Sequence, residues 1–282
     1  MIAVPARKRV TNVVMFSLTG LCTVLTVGVL LLILGYLFWH GASAIKWSFF
    51  TKLPAPVGET GGGMANAIVG SAKILLLATL AGVPIGFLGG VFLSEHAGPK
   101  SSFVLRYMTD LLNGVPSIII GLVVYTLIVH PMKHFSALAG SVALGIMMIP
   151  IAVRSTEEFL RAVPQSLRDG AIALGATKWQ AITSVVIPCA MRGIVSGTML
   201  NLARVAGETA PLLFTALSNQ FWSPGWGHPT ATLPVVIFTY AISPYAEWHR
   251  QAWAAGLVLI VLVLTINVSA HLTLARGGHS RQ

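Results

Sequence analysis

Along this chain apolar residues come in blocks far longer than a soluble helix needs, separated by short polar interruptions. A helix crossing the ~30 Å hydrocarbon layer of a bilayer takes about 20 such residues. The stretches that qualify are Asn12–Trp39, Asn66–Ser94, Phe103–Val129, Ala137–Val153, Ile187–Leu217 and Gln251–Leu274. The fourth is the shortest, and the fifth is long and carries polar residues. The pattern predicts an all-α, polytopic membrane protein with six transmembrane helices. Residues 1–65 read as an amino-terminal tail, first helix and loop, 66–274 as one helical bundle, and 275–282 as a tail.

The polar punctuation is informative. Between the first two blocks, "KWSFFTKLPAPVGETGGGMANAIVG" carries Pro54, Pro56 and the run Gly61, Gly62, Gly63, the composition of a break. No strand precedes these glycines and no Gly-Lys-Ser/Thr follows, so they read as a flexible lead into the second span rather than a phosphate cradle. Inside the spans stand Gly82-Val83-Pro84, Gly89-Gly90, Asn113-Gly114-Val115-Pro116 and Met148-Ile149-Pro150. Small residues let membrane helices approach closely, and broken backbone must face protein or a wet cavity. Packing kinks and helices that bend during a transport cycle both fit.

Composition agrees with the bilayer as solvent, since only 9% of the 282 residues are charged, against about 25% in soluble domains. The formal charge of +10 raises the question of a nucleic-acid partner. Its distribution answers it. With a cytoplasmic amino terminus, Arg7, Lys8, Arg9, Lys100, Arg106, Arg154, Arg161, Arg168, Lys178, Arg192, Arg276 and Arg281 fall inside, and only Lys46, Lys52, Lys133 and Arg250 outside. That positive-inside bias predicts a multi-pass protein of the cytoplasmic membrane with both termini cytoplasmic. No soluble basic module remains for nucleic acid. Ala42-Ser43-Ala44 resembles a signal cleavage site, but the apolar run before it is about twice the ~7–15 residues of a signal core, so the first helix is expected to stay. Cys22 and Cys189 suit no disulfide, and the scattered histidines show no metal-ligand spacing.

One polar interruption has a structure of its own, "LRDGAIALGATKWQAITSVVIP", residues 167–188. Pro164 can open a helix, and Ser166-Leu167-Arg168-Asp169 fits a capping box. Leu167, Ala171 and Leu174 fall on one short apolar face, and Gly175 suits a left-handed stop. Thr177 with Gln180 forms a second capping box, from which a helix runs through Pro188 into the fifth span. The product is a bent handle below the membrane. It suits a groove on another protein or, as a plain connector, the headgroup layer.

Asp169-Gly170-Ala171, Gly175 and Val185-Val186-Ile187-Pro188 resemble the EAA motif of ABC-type importer permeases, with Asp for Glu and Gly for the first Ala. The resemblance implies the type-I permease fold, with 164–188 as the cytoplasmic coupling region. Leu167, Asp169, Gly170, Ala171, Leu174 and Gly175 would then dock on an ATP-hydrolysing subunit. "GGGMANAIVGS", "NGVPSIIIGL", "IPIAVRSTEEFLRAVPQSLRDGAIALGATKW" and "ARVAGETAPLLFTAL" narrow it, being similar to the A-type permease family of phosphate-specific importers. That family implies a second homologous permease subunit, two copies of the ATPase with its ATP-Mg, a periplasmic phosphate-binding protein, and no cofactor on this chain. The chain has no Gly-x-x-x-x-Gly-Lys-Ser/Thr, so it is expected to be a transport subunit and not an enzyme.

Arg204 and Glu208 lie four apart in the fifth predicted span, hence on one helical face. An intramembrane charge is costly and should face a bundle interior or water. Arg204 would offer a planar fork of donors to phosphate oxygens, and Glu208 would balance it or accept from a protonated oxygen. A purely structural pair is the alternative. Arg154 and Glu157, three apart at the inner end of the fourth span, read as an exit-side anion contact or as ordinary interfacial charges. Lys73 is expected to snorkel outward, Arg106 and Asp110 to pair along one helix, and Trp222, Trp226, Tyr240, Tyr245 and Trp248 to form an interfacial belt. A permease for molybdate, tungstate or phosphonate and an ion-driven carrier are the rival functions. The carrier would need inverted repeats, which are not visible.

Overall fold

The computed structural model describes residues 6–59 and 61–276. Residues 277–282 of the expected tail lie outside the described residues. Helices account for nearly all ordered backbone: α1 (Ala6–Gly41), α2 (Trp47–Thr51), α3 (Ala65–Glu95), α4 (Pro99–Gly114), α5 (Ser117–Met132) and α6 (Ala137–Arg161). Then come α7 (Gln165–Ala173), α8 (Lys178–Ala206), α9 (Ala210–Thr215), α10 (Leu233–Ala241) and α11 (Ala246–Arg276). Among the described residues the only β pairing is one bridge between Pro54 and Gly62.

The centre of the bundle is the parallel pair α3–α6. Gly82, Gly86 and Gly90 recur every fourth residue on α3 and meet Gly145, Ala152 and Thr156 of α6. A Cβ at Gly82 would stand 2.9 Å from the Gly145 carbonyl, and one at Gly90 2.5 Å from the Thr156 Cβ. These glycines therefore serve close helix approach. On the other side of α6, antiparallel α8 presents Gly193 and Gly197 to Phe159 and Ser155. The Asn201 amide of α8 donates to the Met148 carbonyl at 3.0 Å. Ile74, Leu144, Met148 and Val205 are fully enclosed where these helices meet. By contrast α1 is apolar yet bare along most of its length, and touches the bundle near Gly41, where Trp253 of α11 approaches.

Two of the expected spans are broken. Phe103–Val129 is not one helix: α4 and α5 meet at 96°. Pro116 supplies no N–H to continue the ladder, and the residue before a proline is pushed out of the helical region; Val115 sits at φ −69°, ψ 126°. Ile187–Leu217 also differs at both ends. The helix starts at Lys178 and absorbs Pro188 through a π turn, with the Ile187 N–H reaching back five residues to the Ile182 carbonyl. It then stops at Ala206, because Pro211 would clash with the carbonyl of residue 207 in a continued helix. α9 restarts after this break. The fourth span runs past its expected end at Val153 to Arg161, since its charges find partners. Among the described residues, helices long and apolar enough to cross a membrane number five, or six if α4–α5 counts as one.

The stretch that carries the expected interfacial belt is partly core. α10 lies within it, with Leu233, Val235 and Val236 buried, and Tyr240 is enclosed and stacked on Trp248 at 4.3 Å. Lys73 does not snorkel: its ammonium donates to the Gly225 carbonyl at 2.5 Å and lies 4.7 Å from the Trp226 ring centroid. The start of α6 is finished by the same segment, whose His228 and Trp226 carbonyls accept from Ala137 and Leu138.

Candidate functional site

The two breaks face each other. α5 packs on α9, and a Cβ at Gly121 would stand 2.6 Å from Pro211 Cα. Between the α4–α5 elbow, the middle of α6 and the end of α8 lies a cavity of about 170 Å³. Arg204, Glu208, Asn113 and Ser117 supply its polar lining, against an apolar wall that includes Met147 and Ile151. Arg204 closes the last turn of α8, and Glu208 lies beyond Gly207, past the helix end. The reading of one helical face is thereby corrected: a chain break, not helical spacing, sets their relation. Arg204 is exposed and Glu208 half-buried. Among the described residues neither makes a side-chain hydrogen bond or ion pair, with each other or elsewhere.

Nearer the basic end of the bundle, α4 climbs antiparallel to α6, and its charges interlock with those of α6. Glu157 is buried: its Oε1 accepts a hydrogen bond from Arg106 Nε at 2.8 Å and forms ion pairs with Arg106 Nη2 at 2.6 Å and Arg161 Nε at 3.1 Å. Arg154 turns to Glu158 at 3.2 Å and Asp110 at 3.7 Å. Arg154 and Glu157 thus act with different partners. Arg106 and Asp110, expected to pair with each other, each reach across to α6 instead. Arg106, Arg154 and Arg161 line an open cavity of about 700 Å³ against α4.

The handle beneath has the predicted caps with one exception. Thr177 and Gln180 form a reciprocal capping box, and Gly175 is left-handed at φ +87°. The Ser166–Asp169 box is absent: Pro164 precedes the first turn, and Asp169 accepts from Gln165 at 3.0 Å. Arg168 ties the handle to the bundle through an ion pair with Glu95 at the end of α3 and a 2.7 Å hydrogen bond to the Leu160 carbonyl. Lys178 donates to the Glu95 carbonyl at 2.8 Å. No residue of α7 is buried. Leu174 is 91% exposed, and Leu167, Ile172 and Trp179 are exposed beside it, while Gly170 is open and Ala171 half-buried. Sequence reading missed Ile172 and Trp179, which lie off the expected seam, and Glu95, whose role depends on a contact 73 residues away.

A bundle of broken spans around a charged cavity, with an unburied helical handle at one end, defines the transmembrane subunit of a transporter. The comparisons make the class specific. Residues 82–275 match the family model for the binding-protein-dependent transport system inner membrane component. The chain is 44% identical over 265 residues to the phosphate transport system permease protein PstA of Yersinia pestis, covering 91% of this chain and 90% of that one. It is 43% identical to the protein of the same name from Haemophilus influenzae, covering 94% of each. Among solved structures, one of a bacterial alginate ABC transporter aligns at TM-score 0.63 with 18% identity over 93% of each chain. The inward-facing MetNI methionine ABC transporter aligns at 0.62 with 19% identity over 76% of this chain and 96% of that one. These two share the fold. The chain belongs to the binding-protein-dependent transport inner membrane component family, and within it to the PstA permeases.

Proposed function

We propose that this chain is a permease subunit of an ATP-driven importer and forms part of the path for inorganic phosphate across the cytoplasmic membrane. The observation that carries the reading is the unpaired Arg204 and Glu208 at one cavity where two helices break. Broken helices at mid-membrane commonly frame a transported ion. In this reading Arg204 engages phosphate oxygens and Glu208 holds the local charge near balance when the path is empty. Full-length similarity to phosphate permeases supports this anion over molybdate, tungstate or phosphonate.

The basic end lies in the cytoplasm, with both termini, and the handle there docks on an ATP-binding subunit. Two such subunits, a second homologous permease and a periplasmic phosphate-binding protein complete the machine, and ATP-Mg is bound and cleaved on the partner. Leu174, Leu167 and Ala171 offer the apolar contact, Gly170 the close approach and Gly175 the turn, while Asp169 steadies the first turn through Gln165. Arg154 and Glu157 hold α4 to α6, and Arg154 also presents donors to an anion leaving on that side.

The test is Arg204→Gln in the assembled transporter. Uptake of radiolabelled phosphate is expected to fall at least tenfold, the scale of a lost charge-assisted hydrogen bond, with the complex recovered in full. Normal uptake by an assembled variant refutes the role given to Arg204.

A further inference from the structure

We infer that Asn113 and Ser117 belong to the same anion site and select for a protonated oxyanion, an inference that rests on the phosphate reading of Arg204 and Glu208. The four polar side chains of the 170 Å³ cavity come from the end of α4, the start of α5, the end of α8 and the break after it. None of the four makes a side-chain hydrogen bond with another described residue. Several buried polar groups nearby are instead tied to the helix backbone. Thr198, Ser141 and Thr215 each donate to the carbonyl four residues back, and Asn201 donates to Met148. Asn113 and Arg204 are exposed and Ser117 and Glu208 half-buried, so the four stand at the open side of one cavity with donors and acceptors free to take the same external partner.

The chemistry of the four specifies that partner. The Arg204 guanidinium, the Asn113 amide and the Ser117 hydroxyl donate, whereas Glu208 and the Asn113 carbonyl accept. Hydrogen phosphate matches both halves, because it carries acceptor oxygens and at least one P–OH donor. Sulfate carries acceptors only, and one of its oxygens would face the Glu208 carboxylate with no proton between them. The volume equals roughly six waters at ~30 Å³ each, which suits one small tetrahedral oxyanion. Ser117 and Asn113 flank the proline elbow, so they enter the cavity from different elements than Arg204 and Glu208.

The test uses the whole transporter in proteoliposomes with its binding protein, reading phosphate uptake and stimulated ATP hydrolysis together. Asn113→Ala and Ser117→Ala are each expected to lower uptake and its stimulated ATP hydrolysis together by about tenfold while complex yield holds, and Ser117→Thr, which keeps the hydroxyl, is expected to restore most of both. Should Ser117→Ala fail to assemble, Asn113→Asp carries the test: it keeps the size and turns a negative charge toward the anion, and uptake should be lost from an intact complex. Wild-type uptake in the Asn113 and Ser117 variants, with Arg204→Gln inactive, overturns this inference and leaves the phosphate reading standing. Wild-type uptake in Arg204→Gln overturns the phosphate reading itself.

Discussion

Glu157 shows how a single residue organises the basic end of the bundle. Three guanidinium contacts converge on its Oε1, two from Arg106 of α4 and one from Arg161 a turn below. Its side chain is only 4% exposed, so the carboxylate depends on those arginines for its solvation. Removing one partner of a buried pair costs about 3–5 kcal/mol. Here about 2 kcal/mol is the better figure, because Arg106 and Arg161 are a third to a half exposed and recover some hydration. Glu157→Gln should therefore lower the thermal midpoint of the purified complex and loosen α4 from α6. An unchanged midpoint would show that apolar packing alone holds α4 in place. Sequence spacing suggested the wrong pairs at this site. Separation by four does give the pairs within α6, Glu157 with Arg161 and Arg154 with Glu158, but the partners from α4 depend on a register between two helices that no single sequence displays.

At the scale of elements, the handle was legible and the interrupted spans were not. Thr177, Gln180 and Gly175 announce their roles because caps and left-handed stops are local chemistry, fixed within four residues. The ends of α4 and α8 are also marked locally, by Pro116 and Pro211, but the hydropathy that defines a span continues straight across both. Apolar run length reports what the bilayer tolerates; whether backbone is continuous is decided by a missing N–H and a proline ring. The four-residue spacing of Arg204 and Glu208 misled for the same reason. Leu174 is the element's most exposed large apolar side chain, and its proposed work is to fill a cleft on the motor. Leu174→Asp should leave the fold intact, since it removes no internal contact, and should reduce ATP-dependent uptake at least tenfold by desolvating a charge at the contact. Wild-type uptake and co-purification of the ATPase with this variant would move the coupling contact elsewhere.

For the whole molecule, the proposal is mechanical. The ion pair of Arg168 with Glu95 links the handle directly to α3, and α3 packs through its glycines onto α6, which lines the elbow cavity with Met147 and Ile151. A push on the handle therefore has a short rigid route to the proposed anion site. Such a push changes the population of open and closed forms only if the ATPase grips the handle differently in the two. The most direct measurement is radiolabelled phosphate uptake into proteoliposomes holding this chain with and without its permease and ATPase partners. Uptake that needs ATP, stops with vanadate and vanishes when the ATPase is left out is the predicted result. Vanadate-insensitive phosphate uptake by this chain alone would contradict the account and place the protein among carriers that need no motor.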